Sequence, residues 1–249
     1  MKTAFLALLF VCGSCVASEH PHPHWSYSGA TDPSKWSTLE PDFATCSKGH
    51  AQSPIDIRHE AVHDAKLPPL KFDYQAVPLK IIDNGHSIQI DYAPGSFLTV
   101  GDRRFQLVQF HFHHPSEERI DGKGFEMVAH LVHKDVAGKL AVVAVLLDPG
   151  AANPLVQTLW THIPKHKEHE DTLASIRVNA ADLLPADHSY YSFAGSLTTP
   201  PCTEGVSWFV LRHAGSVSTQ QVKAFAQHYP MNARPVQPVE GREINASAE

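Results

Sequence analysis

The stretch Gln109-Phe110-His111-Phe112-His113 carries two imidazoles separated by a single residue. Side chains of an extended chain alternate between faces, so His111 and His113 share one face while Phe110 and Phe112 share the other. Two imidazoles on one side of a stiff strand can grip a single small cation. A second stretch, Met127-Val128-Ala129-His130-Leu131-Val132-His133, offers a third nitrogen from His130 if its strand lies beside the first. Three protein nitrogens with a fourth position left open is the pattern of catalytic zinc, whereas structural zinc takes four ligands, often cysteines. The plain alternative is that these histidines decorate ordinary strands and bond to backbone. His111 and His113 alone leave the two readings level, and the abundance of histidine, 18 in the chain, does not decide between them.

Such residues need strands to carry them. Short β-type runs separated by turn residues predict strands at 79–82, 86–92, 96–100, 104–113, 126–133, 139–147, 175–178 and 206–211. Residues 140–147 are apolar throughout, as in a strand covered on both faces. Two helices are expected. One has Asn153 as its cap and Pro154 in its first turn, and runs toward His162. The other starts at Ser218 and runs toward His228, with Val222 and Phe225 on one face. Many strands and few helices in one continuous stretch point to a single domain built on a large sheet.

The chain has 249 residues, and residues 1–18 read as a secretory signal peptide. Lys2 supplies the charged start, 4–12 an apolar stretch, and Val16-Ala17-Ser18 a small-residue cleavage site, leaving 19–249 as one domain in the periplasm or outside the cell. The apolar stretch is too short for a membrane span, and no later run approaches the ~20 residues that one needs. A net charge of −6 and the lack of a basic patch interleaved with aromatics argue against nucleic acid as a partner. Cys12 and Cys15 leave with the leader. Cys46 and Cys202 remain, and in an oxidising compartment a disulfide is the natural reading, with two independent thiols as the alternative. Such a bond closes a long loop and contributes about 4–5 kcal/mol in the chain-entropy account. The tail His20-Pro21-His22-Pro23-His24 is extended, either a weak metal binder or simply solvated, and 241–249 reads as a polar, frayed end.

Several segments in order resemble the α-class carbonic anhydrases, particularly the secreted bacterial members, from about His24 to Arg242. They are His24-Trp25-Ser26-Tyr27, Gln52-Ser53-Pro54-Ile55-Asp56-Ile57, Asn84-Gly85-His86, Gln109 to His113, Pro115-Ser116-Glu117 and Ala129 to His133. Gly195-Ser196-Leu197-Thr198-Thr199-Pro200-Pro201-Cys202 and Asn232-Ala233-Arg234-Pro235 complete the set. The fold expected from the resemblance is mainly β (α+β), a single domain on a large, mostly antiparallel central sheet with a few short peripheral helices.

The resemblance implies zinc on His111, His113 and His130, and reversible hydration of carbon dioxide to bicarbonate. It makes Thr198 the residue that orients the attacking oxygen, Glu117 the acceptor of the Thr198 proton, and His86 the proton shuttle. Tyr27, Asn84 and Gln89 match polar positions along the shuttle's water path, and Gln109 matches the partner of His111. Val132, Val142, Leu197 and Trp208 match the apolar wall beside the substrate, with Thr199 next to it. Cys46 and Cys202 match the disulfide of secreted members, and a homodimer is allowed by analogy. One position departs from the family pattern: a glutamate usually precedes the third ligand by two residues, and Val128 stands there. Glu126, a backbone carbonyl or a water is the expected substitute. Rival readings are a non-catalytic binding module of the same fold, an esterase side activity using the same nucleophile, and a metal store built on the tail.

Overall fold

The computed structural model describes residues 24–248, so the leader and the tail histidines His20 and His22 lie outside the described residues. Thirteen of the described strands form one sheet. Its main path runs His169–Val178, Val77–Asp83, Ile88–Asp91, Arg103–His113, Met127–Lys134, Leu140–Pro149, Glu204–Leu211, Tyr190–Ser196, Ile244–Ala246 and Val62–Asp64. Most neighbours are antiparallel, but the sheet is mixed. Leu140–Pro149 pairs antiparallel with Met127–Lys134 and parallel with Glu204–Leu211 and Gly215–Val217. Ile244–Ala246 likewise runs parallel to Val62–Asp64.

This central position explains why 141–147 is apolar throughout, since parallel-paired strands are covered on both faces. Ala141, Val143, Val145 and Leu147 pack into one hydrophobic cluster, and Val142, Ala144 and Leu146 into another on the opposite face. The first cluster is roofed by the two expected helices. Pro154–Thr161 is capped by Asn153, whose side chain accepts from the Val156 N–H at 3.1 Å. Thr219–His228 begins with a reciprocal capping box between Ser218 and Gln221. Leu155, Val156, Leu159, Val222 and Phe225 are their buried contributions.

Two short helices, Trp36–Leu39 and Thr45–Lys48, escape the sequence signals because neither has a capping side chain. The strand Tyr190–Ser196 escapes them because it is buried on both faces and shows no alternation. The supposedly frayed end is corrected: Ile244–Ala246 is a strand of the sheet, with Ile244 and Ala246 buried and the Ser247 hydroxyl accepting from the Tyr190 N–H at 2.9 Å. Cys46 and Cys202 are bonded, with Cα atoms 5.0 Å apart, beside the buried Trp36. Among the described residues no helix is long and apolar enough to cross a membrane.

Candidate active site

His111 sits directly opposite His130 in the antiparallel ladder between Arg103–His113 and Met127–Lys134, and opposite Gln89 on its other side. The three rings converge, with centroids 4.7 Å apart for His113 and His130, 5.0 Å for His111 and His113, and 5.5 Å for His111 and His130. One nitrogen from each ring lies within 4.8 Å of the other two. The remaining nitrogen of each ring is already engaged. His111 Nδ1 meets Gln109 Oε1 at 2.8 Å, and His113 Nδ1 meets the Asn232 carbonyl at 2.7 Å. His130 Nε2 lies 3.1 Å from both Glu118 oxygens. Meanwhile His113 Nε2 is buried with no hydrogen-bond partner, which is costly unless something else occupies its lone pair. Three oriented imidazoles without a thiolate suit zinc. The donor set fits.

Glu118 corrects the sequence expectation for His130. Glu126 precedes the strand and is exposed, and no backbone carbonyl takes its place. Val128, opposite His113, is buried in the apolar cluster. Fully buried Glu118 arrives instead from the segment after Arg103–His113. No local pattern marks it, because a second glutamate after Pro-Ser-Glu reads as a solvated one until the fold brings it to the ring. Asn232 stands in a matching segment but is given no role there. Besides receiving His113, it accepts from the His114 N–H at 2.7 Å and donates to the Phe112 carbonyl at 3.0 Å.

Burial dominates the electrostatics. It pushes His111 down to about 3 and His113 well below the usual imidazole range, with the neighbouring rings adding to both. It would depress His130 too, and is the largest single influence there, but the charge and hydrogen bond of Glu118 together with the charge of Glu117 outweigh it and the ring is raised. Burial lifts the Glu117 carboxyl to about 7; His130 opposes that rise and Glu118 adds to it. Glu117 lies 3.6 Å from His113 Nε2 and 3.8 Å from His130 Nδ1, faces Thr198, and accepts from the Arg234 N–H at 2.7 Å. Arg234, buried and given no role from the sequence, ties this corner to the disulfide. Its guanidinium donates to Gln52 Oε1 at 2.9 Å and to the Ser53 and Cys46 carbonyls at 2.8 Å.

Tyr27, Asn84, His86, Gln89, Gln109 and Thr199 line a cavity of about 120 Å³ shared with His111 and His113. On the other side, Val132, Val142, Leu197 and Trp208 belong to one apolar cluster, and the Trp208 ring stands edge-on to His130 at 5.0 Å. Gly195 makes that approach feasible, since a Cβ there would overlap the Trp208 ring and Ser53 Oγ. His86 stacks on Trp25 at 3.6 Å, 8° from parallel, with His24 5.2 Å away. Burial, then the charges of His24 and Lys167, lower His86 to about 4. These side chains surround the three imidazoles. A larger concavity of about 630 Å³ lies elsewhere, along Tyr190 and Phe209, where Arg103 is engaged by Asp135 and Arg242 by backbone carbonyls.

Known proteins are similar to this chain in sequence and fold. The family described as eukaryotic-type carbonic anhydrase matches residues 31–248. A carbonic anhydrase of Pectobacterium carotovorum is 43% identical over 247 residues, 98% of each chain. One from Nostoc sp. is 42% identical over 234 residues, 92% of this chain and 89% of its own. The structure of an α-carbonic anhydrase from Thermovibrio ammonificans, in complex with the inhibitor sulfanilamide, aligns at a TM-score of 0.86 and 36% identity, over 89% of this chain and 98% of that one. Sequence and fold therefore agree, and the chain belongs to the carbonic anhydrase family as an enzyme of that class.

Proposed function

We propose that the chain catalyses reversible hydration of carbon dioxide at a zinc ion held by His111, His113 and His130. Zinc, when bound, supplies the Lewis acidity that makes a water acidic near neutral pH, an effect for which carbonic anhydrase is the standard example. The protein's own residues do the rest. Glu117 takes the Thr198 hydroxyl proton into a hydrogen bond, so the Thr198 oxygen can only accept from the attacking group and aims its lone pair at the substrate. Val132, Val142, Leu197 and Trp208 keep water away from the apolar substrate and give it a surface to rest on. Gln109, Asn232 and Glu118 fix the three rings through their outer nitrogens.

His86 accepts the proton released in each cycle and passes it to buffer. Stacked on Trp25, with its pKa lowered to about 4 by burial, it takes the proton uphill and hands it on downhill. The leader-like segment and the disulfide support export to the periplasm or beyond, and a mature N-terminus near residue 19 would be its mark.

The observation that carries the proposal is the convergence of three ring nitrogens whose opposite nitrogens are all occupied. Stopped-flow hydration of carbon dioxide, with and without a chelator and alongside a metal assay, tests it. The expected result is a rate well above buffer that disappears with zinc and returns on its addition. A purified, zinc-loaded protein no faster than buffer would refute it.

A further inference from the structure

The turn that presents His86 is tied down by side chains. Asn84 Oδ1 accepts from the His86 N–H at 3.0 Å and the Ser87 N–H at 2.8 Å, and Gly85 supplies the left-handed residue that the turn needs, at φ 82°. Asn232 donates to the His86 carbonyl at 3.0 Å. Beneath the turn, Asp83 ends the strand Val77–Asp83 and is only 2% exposed. Its Oδ1 accepts from the Gly85 N–H at 3.1 Å and from the Tyr229 hydroxyl.

Tyr229 closes the helix Thr219–His228 and is 5% exposed. Its N–H donates to the Phe225 carbonyl at 3.0 Å, and the Lys167 ammonium lies 4.9 Å over its ring. Burial, then the bond to Asp83, holds its hydroxyl far above the usual phenol range, so it stays a donor. Neither Asp83 nor Tyr229 lines the cavity.

We infer that Tyr229, acting through Asp83, is a positioning residue for proton transfer that locks the turn and keeps His86 at the cavity mouth against Trp25. The inference rests on the shuttle role proposed for His86. A buried carboxylate persists only where its oxygens find donors. Without the phenol hydroxyl, Asp83 must find another donor, and the Gly85 N–H that it holds moves with it. His86 is the next residue along. A misplacement of about an ångström can cost up to ~10²-fold in rate.

Two steps of the cycle separate the consequences. Attack on carbon dioxide does not use His86, so kcat/KM is insensitive to the turn. Proton removal does use it, so kcat in weak buffer is sensitive, and a small diffusible base bypasses the shuttle. The test compares zinc-loaded wild type, Tyr229→Phe, Asp83→Asn and His86→Ala by stopped flow, with and without added imidazole. Tyr229→Phe is expected to lose about tenfold in kcat, to keep kcat/KM, and to recover kcat in imidazole. Asp83→Asn retains an acceptor for both donors and is expected to lose less in kcat than Tyr229→Phe.

A wild-type kcat for Tyr229→Phe alongside a lowered kcat for His86→Ala would overturn the inference and leave the shuttle standing. So would a joint fall of kcat and kcat/KM without imidazole rescue, which marks a merely structural role. A loss in Asp83→Asn as large as in Tyr229→Phe would overturn it as well, since charge and not the tie would then matter. An unaltered kcat for His86→Ala would instead remove the shuttle role itself.

Discussion

Glu118 offers the sharpest test of how the ligand rings are held. Both of its oxygens lie 3.1 Å from His130 Nε2, and both residues are buried. The bond keeps a proton on Nε2, so the Nδ1 lone pair faces the other two rings. A hydrogen bond to a charged partner contributes about 1.5–3 kcal/mol, and stranding a buried donor costs about 1–3 kcal/mol. Glu118→Gln keeps an acceptor and loses the charge, so it should weaken zinc binding by roughly tenfold. Glu118→Ala leaves Nε2–H with no partner and should approach a 100-fold loss, the upper end for an outer-shell partner of a metal ligand. At ~1.4 kcal/mol per tenfold, these losses correspond to about 1.4 and 2.8 kcal/mol.

Val128 adds a second arm. It stands two residues before His130 on the same face of the strand. In the background of Glu118→Ala, Val128→Glu should restore much of the affinity by approaching the ring from the strand. Competition with a chromophoric chelator measures equilibrium affinity, and the zinc release rate gives an independent reading. A Glu118→Ala protein that retains zinc within about twofold of wild type would show that the ring is held by packing, and the reasoning about its outer nitrogen would be wrong.

Removing the hydroxyl in Thr198→Ala should lower kcat/KM by about 10²-fold or more at unchanged zinc content, read by stopped flow; a smaller loss would mean that the attacking group is oriented by something else. The Cys46–Cys202 bond spans 156 residues and should contribute at most ~5 kcal/mol. Reduction should lower both the denaturation midpoint and the activity, because Cys202 N–H bonds the Thr199 carbonyl at 2.8 Å; an unshifted midpoint with both thiols titrated free would contradict this. His133 is buried, with Nε2 accepting from Tyr74 at 2.6 Å, and burial holds its pKa at about 3. Its unfolded value near 6.5 is higher, so the unfolded chain binds a proton that the folded one refuses. The stability it contributes above about pH 6.5 is lost as pH falls toward 3, at up to ~1.4 kcal/mol per pH unit. Denaturant midpoints of His133→Gln should therefore fall less steeply with acid than those of wild type, and parallel slopes would refute the assignment.

What could be read without coordinates followed a physical gradient. The helices at 154–161 and 219–228 were legible because Asn153 and Ser218 are local signals whose partners lie three residues away. The chemistry of His111 and His113 was legible because strand alternation is local too. The pairing that sets His111 against His130 was not, since register depends on which strands meet. Glu118 was illegible for the same reason: its partner is 12 residues away and on another element. The site roles of Thr198 and His86 came from resemblance and not from pattern, because a threonine before two prolines and a histidine in an Asn-Gly turn are ordinary on their own.

One feature of Arg103–His113 joins the fold to the chemistry. Phe105 and Leu107 point into the helix-covered core, and so do Phe110 and Phe112. The core-facing residues are thus odd-numbered before position 108 and even-numbered after it. The cause is an irregularity in the ladder with Met127–Lys134, where Leu107 pairs with His133 and Gln109 with Val132, so that Val108 is skipped on that side. Such a bulge re-aims every later side chain on its strand. Val108 and Gln109 both turn toward the second face, and His111 and His113 follow. On the neighbouring strand, Met127, Ala129 and Leu131 keep to the first core, while Val128, His130 and Val132 face the second side without interruption. In a regular ladder continued from Leu107, the two histidines would enter the apolar core and His130 would face phenylalanines. The slip is visible in the spacing of Phe105, Leu107, Phe110 and Phe112, where two steps of two residues flank a step of three. A single extra residue therefore decides on which side of the sheet the three nitrogens meet.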